Sequence, residues 1–81
     1  MIAEERRKFL GVHLCGERVV GRLESIGVER LMDLAGRDPW KLMHEINLQA
    51  GREIWHAPLA VQALQNVVDA AEREVSPPVR R

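Results

Sequence analysis

Apolar residues recur three and four positions apart along most of this chain, and no segment alternates in the period-two manner of a strand. The pattern predicts helices from end to end, separated by short segments marked with glycine or proline. A first helix is expected from about Ile2 to Leu10, with Ile2, Arg6, Phe9 and Leu10 on one side, ending near Gly11. A second is expected from about Gly16 to Ser25, burying Val19, Val20, Leu23 and Ile26 and stopping at Gly27. Val28, Leu31, Met32, Leu34 and Ala35 suggest a short third helix that closes at Gly36.

The clearest local boundary follows. Asp38 can cap a helix whose first position is Pro39, where a missing N–H costs nothing. This fourth helix places Leu42, Met43, Ile46 and Ala50 on one face, and Gly51 ends it. Pro58 opens a fifth, in which Ala60, Ala63, Leu64, Val67, Val68 and Ala71 form the strongest amphipathic stripe of the chain. Residues 76–81, Ser-Pro-Pro-Val-Arg-Arg, cannot continue a helix and are expected to form a flexible tail. The expected architecture is therefore all-α: one domain over residues 1–75, of about five short helices.

The segment Val12 to Leu23 carries the main chemical signal: an apolar turn, Gly16, and then a helix whose first turn holds Arg18. A helix start leaves N–H groups without intrahelical partners, and the aligned peptide dipoles place partial positive charge there, so an anion can bind. Gly16 would allow close backbone approach. The segment resembles the helix-hairpin-helix motif, with Gly16 at its second glycine, Arg18 at its basic position and Leu23 at its later apolar position. It departs from the pattern in two places: Leu14 occupies the position of the first glycine, and Glu17 puts a carboxylate beside the expected phosphate.

Downstream, Leu23 to Leu34 is similar to the segment after the hairpin in such domains, and the order of pieces from about residue 9 to 73 resembles the small bacterial pathogenicity-locus proteins. Those relatives tend to carry cysteine around Asn47 to Ala57, where this chain has none, so no thiol or metal role passes to it. The resemblance implies non-enzymatic, sequence-independent binding of duplex DNA in the cytoplasm of a bacterium. Gly16, Glu17 and Arg18 would offer amides to the phosphate, and Arg18 and Arg22 would add charge.

Charge opposes a dedicated nucleic-acid binder. The 81 residues carry 12 basic and 12 acidic side chains, so any positive footprint must come from spatial segregation, for example Arg6, Arg7 and Lys8 lying beside Arg18 and Arg22. Two alternatives stay open: a hairpin packed for structure alone, and a module that binds another protein or a second copy of itself.

Other chemistry is poorly supported. His13, Cys15, His44 and His56 suffice in number for zinc, but their spacing fits no usual framework, and Cys15 is expected to be a small core residue. Neither a catalytic site, a cofactor nor a metal is expected, and the carboxylates read as helix chemistry: Glu17 at a start, Asp38 as a cap, Glu4 in register with Lys8. Trp40 and Trp55 are expected to brace the fourth helix and its loop, with Trp55, near Arg52 and His56, the better functional candidate. One cysteine and no apolar run near 18 residues point to a soluble protein of a reducing compartment without a membrane partner.

Overall fold

In the computed structural model, residues 1–75 are described, and the expected tail 76–81 lies outside them. The described chain is all-helical: α1 (Ala3–Leu10), α2 (Glu17–Ser25), a 3-10 helix (Leu31–Leu34), α3 (Pro39–Ala50) and α4 (Leu59–Val75).

Helix α4 is the platform. All six residues of its predicted stripe are buried, with Leu64 and Val67 wholly inaccessible. The 3-10 helix and α3 pack on it, bringing Leu34, Leu42 and Ile46 to zero or near-zero exposure. Phe9 of α1 and Val20 and Leu23 of α2 complete the same core.

The four α-helices differ from the expected five because the third is a single 3-10 turn. Arg30 is extended before it and Ala35 is extended after it, which leaves four residues. Its start is tied from outside by the buried Glu5 carboxylate, which accepts from the Leu31 N–H at 3.0 Å. Asp33 adds a local tie, accepting from the N–H groups of Arg30 and Glu29 at 3.0 and 3.2 Å. These hydrogen bonds hold both carboxyls below their ordinary pKa values: Leu31 N–H and then Lys8 act on Glu5, while Arg30 N–H contributes most at Asp33.

Helix α1 corrects the expected face. Glu5 and Phe9 are its buried residues, whereas Ile2 is 64% exposed and Leu10 38%. Burial on this short helix is decided by where the 3-10 helix and α2 meet it, and Glu5 is tolerated there because a backbone donor satisfies it. Lys8 binds Glu5 at 3.0 Å and Glu74 of α4 at 2.7 Å rather than Glu4, which pins α1 to the far end of α4. Trp40 is also unlike its expectation: it is 56% exposed and braces nothing in the core.

The helix boundaries follow the punctuation closely. Asp38 Oδ1 accepts from Trp40 N–H at 2.9 Å, and Gly51 takes the left-handed conformation (φ 79°) at the end of α3. Helix α4 begins at Leu59, one residue after the cis Ala57–Pro58 peptide.

Candidate functional site

The turn between α1 and α2 is built around an unusual residue. Leu14 has φ 66° and is the only described non-glycine with positive φ, at the position where the helix-hairpin-helix pattern has its first glycine. Its side chain is 46% exposed. An L-residue pays roughly 1–2 kcal/mol in that conformation, so the sequence keeps the turn and tolerates strain that glycine would remove. The turn is held by Val12 N–H on Phe9 O, Cys15 N–H on Val12 O, and the Asn66 side chain of α4 donating to His13 O, each at 3.0 Å.

Gly16 stands at the end of the turn, at the expected start of the second helix. It is extended (φ −98°, ψ −169°), a conformation open to any residue, and a Cβ placed there would meet nothing within 4 Å. It nevertheless occupies the N-cap of α2, where no side chain accepts from the helix amides. Serine, asparagine or aspartate would cap better. The start of α2 is thus open to solvent in front of amides whose dipoles point outward.

Helix α2 then divides its charges between two edges. Glu17 and Glu24, seven residues apart, face α1, where Arg6 forms an ion pair with Glu17 and lies 3.6 Å from Glu24. Arg18 and Arg22 lie about 100–160° round the helix from Glu17 and Glu24. Together with Gly21 and Ser25 they line a groove completed by Gln49 and Ala50 of α3 and by Ile54. Of the four predicted site residues, the structure therefore brings Arg18 and Arg22 together below the open cap at Gly16, and turns Glu17 to the other side.

The wider basic cluster does not form. Arg6 is committed to Glu17 and Glu24, and Lys8 to Glu5 and Glu74, while Arg7 lines a separate groove with His13 and Arg73.

Arg22 is only half available to a ligand. Its guanidinium carbon lies 5.0 Å from the centre of the Trp55 ring, a cation–π contact worth about 0.5–2 kcal/mol depending on desolvation. Its Nε is buried with no hydrogen-bond partner among the described residues. Trp55 is held in place by a residue that sequence reasoning missed. Asn47, in the last turn of α3, accepts from the N–H groups of Ile54 and Trp55 at 3.0 Å through Oδ1 and donates to Trp55 O at 3.1 Å. The one available signal was an asparagine near a helix end, followed by a loop that returns to the core.

Cys15 lies in the core at 4% exposure, and burial pushes its thiol up to about 11, which leaves it protonated at neutral pH and unsuited to nucleophilic work. Among the described residues no group of three or more His, Cys, Asp or Glu side chains could hold a metal ion, and no helix is long and apolar enough to cross a membrane. Set against known protein families, curated proteins and solved structures, the chain matches none of them.

Proposed function

We propose that the α1–α2 hairpin contacts the backbone of duplex DNA without sequence preference, as a non-enzymatic binder. The observation that carries this reading is the uncapped start of α2 standing at the head of the Arg18–Arg22 edge. A phosphate there would meet the amides of Gly16, Glu17 and Arg18 and the Arg18 guanidinium, while the Glu17 carboxylate is drawn toward Arg6. Arg22, stacked on Trp55, adds charge from a fixed position more than it adds reach. Zero net charge limits such binding to modest affinity.

The test is a duplex titration over a range of salt concentrations. Arg18→Ala is expected to weaken binding equally for unrelated sequences and to make the salt slope shallower by about one unit, and Glu17→Lys to strengthen it. A wild-type domain without measurable affinity at low salt, together with an equally inert Glu17→Lys variant, overturns the reading.

A second reading, a module that binds a protein or a second copy of this chain, is favoured by a different observation. Leu48 is 66% exposed and lines a partly apolar groove with Met43 and the Gly51–Glu53 turn. Sedimentation across a concentration series would detect self-association.

A further inference from the structure

The other side of the hairpin turn carries a second groove, between the end of α1 and the outer face of α4. Gly11, Val12 and His13 of the turn form one wall, and Arg7, Lys8, Asn66, Asp69 and Arg73 contribute the rest. Arg7 and Arg73 come from helices at opposite ends of the described chain, and neither guanidinium has a carboxylate or hydrogen-bond partner among the described residues. Lys8 is already neutralised by Glu5 and Glu74. The single acid of the lining, Asp69, accepts from the Gln65 side-chain amide at 2.8 Å. The groove therefore has two uncommitted guanidiniums against one carboxylate, on a wall that Asn66 holds rigid through its 3.0 Å bond to His13 O.

Guanidinium groups present donors in a fork that matches phosphate oxygens, so two uncommitted arginines facing one groove suit an oxyanion better than a neutral or cationic group. His13 and Gly16 are three residues apart and so at most about 11 Å apart along the chain. A polyanion lying across the turn would reach both sides of it.

We propose that this α1–α4 groove is a second anion site, in which Arg7 and Arg73 hold a backbone phosphate of the duplex whose nearby phosphate meets the start of α2. The inference rests on the hairpin reading given above. It assigns the hairpin two phosphate contacts, one on each side of the turn, from residues that lie far apart in sequence.

The test is the duplex titration repeated with the full chain carrying Arg7→Ala and Arg73→Ala together, beside Arg18→Ala, and with Lys41→Ala and Arg52→Ala together as a charge-matched control on and just after α3. Circular dichroism checks that each variant keeps its helix content, and Arg7→Lys with Arg73→Lys serves as a second, charge-preserving variant. The groove double variant is expected to weaken binding and to flatten the salt slope by about one unit, since the one lost phosphate contact removes about 0.9. The control is expected to change the slope little, and the lysine pair to keep most of it. Binding unchanged in the groove variant while Arg18→Ala weakens it overturns the second site and leaves the hairpin reading standing. Loss in the groove variant without loss in Arg18→Ala supports the groove and removes the open cap. An equal loss in the control reduces the effect to overall charge and overturns the site, as does a wild-type chain that binds no duplex.

Discussion

Helices α2 and α3 begin in opposite ways. At α3 the Asp38 carboxylate closes on Trp40 N–H and Pro39 removes one donor, so the start is chemically complete within the chain. At α2 the cap is a glycine without a side chain, in a conformation that needs no glycine, with open space where a Cβ would stand. The first start is explained by folding alone. The second gives up capping energy that a serine or aspartate would supply, and what it keeps is an accessible set of amides beside Arg18.

The comparison breaks most severely if the shared platform fails. Leu64→Ala is expected to lower stability by about 2–5 kcal/mol, a large part of what a domain of this size has, and both helix starts would be lost together in one thermal transition. An unchanged midpoint would show that α4 is not the centre of the core.

Next in size is the exchange of caps. Asp38→Ala is expected to cost about 1 kcal/mol, read from denaturant midpoints, because it uncovers a donor that the fold had satisfied. Gly16→Asp should instead gain a few tenths of a kcal/mol by capping α2, and, on the proposed reading, weaken duplex binding by removing the contact at that start. If Gly16→Asp destabilises, the start of α2 is not open.

The 3-10 helix offers a third kind of start, capped at long range by Glu5. The carboxyl of Glu5 has its folded pKa held below the ordinary value of 4.5, so its contribution is fully present above about that pH and is lost as pH falls through the lowered value. Thermal scans between pH 7 and pH 3 should show the wild type losing stability at the acid end, and Glu5→Gln losing less of its own over the same interval. Parallel acid profiles would contradict the assigned hydrogen bond.

The smallest expected effect is at Leu14. Leu14→Gly relieves a left-handed side chain and gives back part of that gain as unfolded-chain entropy, for a net stabilisation within about 1 kcal/mol, or a few degrees in Tm. A fall in Tm would show that the half-exposed leucine packs usefully in the turn.

Much of the fold could be read from local pattern. The α4 stripe, the Asp38-Pro39 start and the Gly27 and Gly51 stops are properties of neighbouring residues, and periodicity and capping act over a few positions. The face of α1 was not legible, because an eight-residue helix with two apolar positions has no strong stripe of its own and takes its buried side from the helices that reach it. Nor was the third helix: its length is set by extended residues at both ends and by a carboxylate 26 positions away.

The candidate site divides in the same way. Sequence alone determined that Gly16 and Arg18 stand at the start of α2 and that Arg22, in its last turn, shares a face with Arg18, since residues four apart on a helix lie on one face. Tertiary structure decided which charges remain free: Arg6 goes to Glu17 and Glu24, Lys8 goes to Glu5 and Glu74, Arg22 lies over a tryptophan that Asn47 positions, and Arg7 shares a groove with Arg73. With 12 charges of each sign the composition is silent on that outcome, because a ligand senses how charges pair in space, and pairing across helices depends on packing that no local pattern encodes.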